Sequence, residues 1–130
     1  MKVDTSSLMK LNIEETAMDI SIRNEIGTRC ITQEDGQIIY NIVRSNLLNG
    51  KNVVIDFEGV SQFASPFFNF AVGQLLKDIQ YDTIQKLLVP KNLNQVGNML
   101  YKKVLENAKE YHSNSKYREA VDAALNKGDI

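Results

Sequence analysis

The stretch NVVIDF, Asn52 to Phe57, is apolar at consecutive positions and ends in a carboxylate. Such a run suits a strand buried on both faces, which implies parallel neighbours and covering helices. Segments of helical period flank it. Upstream, Ile38, Ile39, Ile42, Val43 and Leu47 recur at the spacing of one helix face. Thr32, with Asp35 three residues on, resembles a capping box, and Gly50 suits the left-handed position after the last turn. Gly36, unfavourable inside a helix, implies close backbone approach there. Downstream, Phe68, Ala71, Val72, Leu75, Leu76 and Ile79 predict a second helix from Ser65 to about Ile79.

The same alternation continues outward. KLLVP, 86–90, reads as a compact strand stopped by Pro90. A third helix opens near Asn92 or Asn94 and carries Val96, Leu100, Val104, Leu105 and Ala108. Ser115 is placed to cap a last helix with Tyr117, Val121, Ala124 and Leu125. Towards the N-terminus, apolar residues alternate at Met9, Leu11 and Ile13 and again at Met18, Ile20 and Ile22, which fits two short strands or one broken strand. NEIG is a turn signal and TRCIT a short extended segment. Strands separated by helices of this length predict a small α/β domain, a short mixed sheet covered by about four helices. Residues 1–130 read as one domain, with a core at about 9–112 and an extra helix at about 115–127.

The composition removes several functions. At 43% hydrophobic and 24% charged, the chain is of globular type. A net charge of −1 gives no general attraction to nucleic acid or acidic membranes. No apolar run has the length of a membrane span, and MKVDTSSLMK lacks a signal-peptide core, so a cytoplasmic address is expected. Cys30 is the only cysteine, which excludes an internal disulfide and a cysteine-rich zinc site; it reads as a buried apolar residue. His112, the only histidine, reads as a surface or capping residue. With no paired nucleophile and base, no metal set and no cofactor motif, the expectation is a non-enzymatic domain.

All five phenylalanines lie between Phe57 and Phe70, around Ser65. A serine before Pro66 reads as a helix N-cap, worth about 1 kcal/mol. The same geometry would suit a phosphate or other anion at the helix start, so Ser65 carries two compatible readings. If Phe68, Ala71, Val72 and Leu75 face the core, Phe70 points the opposite way and Phe67 lies on the flank. Either a neighbouring helix covers them or they form an apolar docking patch beside Ser65. Asp56 at the strand end reads as a loop-organising carboxylate or as a ligand group at the edge where open α/β sheets bind ligands.

At VVIDFEGVSQFASPFF the sequence resembles the STAS domain of bacterial anti-sigma factor antagonists, and more closely a STAS-like family of unknown function. The carrying residues are Val53–Ile55, Asp56, Phe57, Gly59, Val60 and Ser65, with SPFFNFAVGQL, VLENAKEY and TQEDG in recognisable form. The resemblance spans roughly Ile20 to His112. It implies a small STAS-like fold and a partner-switching role, in which an ATPase-type kinase phosphorylates the serine at the start of this helix. That serine is Ser65, in Ala64-Ser65-Pro66-Phe67 where the partner-switching members have Asp-Ser-Ser-Gly.

The resulting expectation is a protein-interaction module. It binds a kinase-like or anti-sigma-like partner, or a second copy, through Asp56, Ser61, Ser65, Phe67, Asn69 and Phe70. The alternative is a small-molecule or nucleotide-binding domain that uses Asp56 and the same helix start.

Overall fold

The structure, a computed structural model, describes residues 17–113 and 115–128. The expected strand at Met9, Leu11 and Ile13 lies outside these residues. The chain runs β1 (Met18–Ser21), α1 (Ile22–Ile26), β2 (Arg29–Cys30), α2 (Gln33–Leu48), β3 (Val53–Asp56) and β4 (Gln62–Phe63). It continues with α3 (Ser65–Ala71), a 3-10 turn (Gly73–Lys77), α4 (Tyr81–Leu87), β5 (Leu88–Lys91), α5 (Gln95–Ser113) and α6 (Ser115–Gly128). The α/β architecture is as expected, but in place of one mixed sheet the described residues form a three-stranded and a two-stranded sheet, with every pairing parallel.

The main sheet has the order β1-β3-β5, with Met18, Val53 and Leu88 in register at one end and Ser21, Asp56 and Lys91 at the other. Alternation decides which face closes. Ile20, Val53, Ile55 and Leu88 are buried on the inner face, whereas Asp19, Val89 and Lys91 are exposed and Val54 is half-buried on the outer one. β3 was expected to be buried on both faces. Among the described residues the helices close only the inner face, so its apolar run is half-open. β5 is an edge strand among those residues, a position that tolerates Pro90, which has no N–H to donate.

Two caps follow the sequence closely. The Thr32 hydroxyl accepts from the Asp35 amide at 3.1 Å, and α2 begins at the next residue after Thr32. The Asn94 side-chain carbonyl accepts from the Gly97 amide at 2.7 Å at the start of α5. Ser21 similarly accepts from the Asn24 amide, so the alternation at Met18, Ile20 and Ile22 is a strand that turns directly into a helix.

Other elements shift. The helix expected over 65–79 leaves α geometry at Val72 and continues as the 3-10 turn, which still buries Leu75 and Leu76. α4 was not expected, and it takes in Lys86 and Leu87, so the strand read at 86–90 begins at Leu88 instead. On α2 the buried stripe is Gly36, Ile39, Val43 and Leu47, with Ile38 turned to solvent. On α5 it is Gly97, Tyr101, Val104 and Leu105, with Val96 exposed. At Gly97 an added Cβ would lie 2.8 Å from Leu93 Cδ2 and 3.1 Å from the Phe63 ring, so glycine brings this face of the helix close to both side chains. On α6, Leu125 is exposed and Val121 half-buried.

The aromatic cluster is the centre of the core. Phe68 lies 5.9 Å from Phe57, 5.8 Å from Phe63, 5.3 Å from Phe67 and 6.0 Å from Tyr101, ring centre to ring centre. These tilted, stacked and edge-on pairs are the arrangements that the ring quadrupoles favour. Four of the five phenylalanines gathered in the sequence are therefore gathered in space, with Tyr101 of α5 joining them.

Candidate functional site

The C-terminal edge of the main sheet is organised by Asp56. Its Oδ1 accepts from the Glu58 amide at 3.0 Å and from Asn92 Nδ2 at 2.8 Å. Asn92 is in the left-handed region at φ +61°, which asparagine tolerates better than most residues. The two bonds tie the loop after β3 to the loop after β5. The Asn92 bond first, then the Glu58 amide and Lys91, hold the Asp56 carboxyl below the usual carboxylate range. Of its two readings, the loop-organising one describes what this side chain does.

A pH dependence follows. Because the folded carboxyl titrates lower than the unfolded one, its stabilising effect is complete above the ordinary aspartate range near pH 4 and is lost as pH falls through the folded value. In urea titrations from pH 7 to pH 3, Asp56→Asn is expected to be less stable than wild type at pH 7. The gap is expected to close at the acid end. A gap that stays constant with pH would mean that the charge plays no part.

The Ser65 corner is built differently. β2 and β4 pair for two residues, Arg29 with Gln62 and Cys30 with Phe63. Arg29 Nε donates to Gln62 Oε1 at 2.8 Å across that pair. The Ser61 amide donates to the Thr28 carbonyl, and the Ala64 amide to the Cys30 carbonyl, both at 2.9 Å. Ala64, extended at φ −142° and ψ 153°, is the residue that caps α3, without a side-chain bond. Ser65 is already inside the helix and Pro66 follows it.

The N-cap reading of Ser65 is thus corrected: the chain enters the helix one residue earlier than the serine–proline pair implies. Ser65 is exposed, and its hydroxyl makes no hydrogen bond among the described residues. Ser61 and Asn69 are exposed as well, and the Ser61 hydroxyl reaches the Thr28 carbonyl only at 3.5 Å.

The phenylalanines do not join this surface as a patch. Phe67 is fully buried, so it is a core residue and not a docking contact, and Phe70 is half-buried. The cover is α2. At Gly36 its backbone passes so near that an added Cβ would lie 2.5 Å from the Phe67 carbonyl oxygen and 2.8 Å from the Phe70 Cβ. The structure therefore leaves Ser61, Ser65 and Asn69 outward, withdraws Phe67, and keeps Asp56 engaged with a different loop. Asp56 and Ser65 share no hydrogen-bond partner.

Cys30 is fully buried, and burial first, then Asp35, pushes its thiol up to about 12, so it is a packing residue. His112 is half-buried in the last turn of α5, edge-on to Tyr111 at 4.8 Å. Burial, then Lys77 and Arg118, lowers its pKa. Among the described residues no three His, Cys, Asp or Glu side chains form a metal-binding group, and no helix is long and apolar enough to cross a membrane.

A strand ending in a carboxylate, a bend, and an exposed serine opening a short helix against α2 together form the pattern on which the resemblance rests. Residues 35–98 match the family model of a STAS-like domain of unknown function. These residues are a STAS-like domain. The match runs from the first turn of α2 to the first turn of α5, shorter than the span expected from the sequence. It nevertheless includes Asp56, Ser61, Ser65, Phe67, Asn69 and Phe70. No curated protein and no solved structure matches the chain.

Proposed function

We propose that the STAS-like domain acts by binding a regulatory protein, an ATPase-type serine kinase or an anti-sigma-like partner, and not by catalysis. The contact surface is the corner formed by Ser61, Ser65 and Asn69, and Ser65 is its switch. One observation carries this reading. The structural duty that would have explained Ser65, capping α3, falls to Ala64, which leaves an exposed hydroxyl with no partner among the described residues. A phosphate there adds nearly two negative charges to the corner and changes any surface docked on it.

The test is affinity capture from the native cell, with wild-type, Ser65→Ala and Ser65→Asp chains as bait and mass spectrometry of both bait and captured proteins. Wild type and Ser65→Ala are expected to recover the same kinase-like or anti-sigma-like protein. Ser65→Asp is expected to recover about tenfold less, a difference of about 1.4 kcal/mol in binding. Equal recovery by all three baits, with no phosphate on Ser65, would overturn the switch.

A further inference from the structure

Away from Ser65, a cleft of about 420 Å³ opens between α4, β5 and α5. Its lining is apolar at Leu88, Pro90 and Leu105 and includes the ring of Tyr101. Tyr101 is only 6% exposed, and its ring is fixed edge-on against Phe68. Its hydroxyl nevertheless has no hydrogen-bond partner among the described residues, although buried tyrosine hydroxyls normally find one. No buried polar side-chain atom lacks a partner among those residues, so this oxygen is open to the cleft.

Two further groups complete the lining's chemistry. Gln85 spends its Nε2 on the Tyr81 hydroxyl at 2.7 Å, and Asn98 spends its Nδ2 on the Leu93 carbonyl at 3.2 Å. Each keeps its side-chain carbonyl oxygen for another donor. The cleft thus offers the hydroxyls of Tyr101 and Tyr81 as donors and two carbonyl acceptors over apolar and aromatic walls. Exposed Lys102 and Glu106 bring one charge of each sign to the lining, which favours neither an anion nor a cation.

We propose that this cleft is a binding site for a small uncharged aromatic carboxamide. The ring lies against Leu88, Pro90 and Leu105, the amide carbonyl accepts from the Tyr101 hydroxyl, and the amide NH2 donates to Gln85 or Asn98. The site is independent of the Ser65 surface and stands or falls separately from it.

The experiment is an NMR titration of the full chain with benzamide, and with benzoate as the charged analogue of the same shape. Benzamide is expected to shift the amide signals of Leu88, Tyr101 and Leu105 with a Kd on the order of 1 mM, as suits so small a molecule. Benzoate is expected to bind at least about fivefold more weakly, because its carboxylate offers no donor to the two carbonyl oxygens and Glu106 offsets the attraction of Lys102. Tyr101→Phe keeps the ring packing and is expected to weaken benzamide about fivefold, the usual worth of one hydrogen bond. Gln85→Met, at an exposed position, gives the same readout if Tyr101→Phe does not fold. No shifts at the cleft, equal binding of benzoate, or unchanged affinity in the folded variants would each overturn the proposal.

Discussion

Phe68→Ala is expected to lower the stability of the domain by about 4 kcal/mol, the usual cost of emptying a buried phenylalanine site. The loss is large because the ring is shared: Phe57, Phe63, Phe67 and Tyr101 all pack on it, from β3's end, β4, α3 and α5 respectively. Four neighbours held by separate elements cannot all move inward, so the cavity stays largely open. Phe68→Leu, which keeps most of the volume, is expected to lose about 1.5 kcal/mol. Urea midpoints of the two variants against wild type measure both. A Phe68→Ala loss no greater than that of half-buried Phe70→Ala would place the centre of the core elsewhere.

Gly36→Ala is expected to destabilise by about 2 kcal/mol, against the direction of helix propensity. In an exposed helix interior the same substitution would gain about 1 kcal/mol. Here the new methyl would lie 2.5 Å from the Phe67 carbonyl oxygen and 3.1 Å from the Ala71 amide nitrogen. Both are backbone atoms, which cannot swing aside as a side chain can, so α2 and α3 would have to separate. Because α3 carries Ser65, the variant is also expected to alter the exposure of that corner. Urea unfolding gives the stability, and a neutral or stabilising result would mean that the helices are farther apart than described.

How much of this was readable in the residues depended on the range of each interaction. The Thr32 cap acts across three residues and was legible at once. The start of α5 was narrowed only to Asn92 or Asn94, of which Asn94 is the cap. The wedge at Gly36 was legible too, since a glycine inside a strong helical stripe asks for a close neighbour. The apolar runs at Val53–Ile55 and Leu88–Val89 marked β3 and β5, but no local pattern tells whether a strand's second face will be covered. On α5, Val104 and Leu105 are buried as expected and Leu100 and Ala108 pack beside them, whereas Val96 is exposed and Gly97 and Tyr101 were not weighed. α4 has seven residues and one fully buried side chain, too short for a period to register.

The site divides the same way. Asp56 and Asn92 meet across 36 residues, so the role of Asp56 as a loop organiser could be offered but not assigned. The Ser65 cap failed because serine before proline names the usual occupant of a position, while the extended Ala64 and its amide bond to Cys30 decide where the helix begins. The cleft around Tyr101 had no sequence signature at all. Its lining comes from three elements, and its decisive property is a hydroxyl without a partner.

The equal steps along the chain from Met18 to Val53 to Leu88 have a consequence for how the domain is made. Among the described residues the main sheet has no hairpin, so β1, β3 and β5 pair only with partners distant in sequence. Each pairing must wait until a long intervening segment has been closed, and the entropy of that closure is spent before any ladder bond repays it. High contact order of this kind predicts slow folding for so short a chain. During synthesis β3 emerges well before β5, and for that interval its Val54 side and one backbone edge stand open together. That interval, more than the finished fold, is when the chain is most exposed to pairing with the wrong strand.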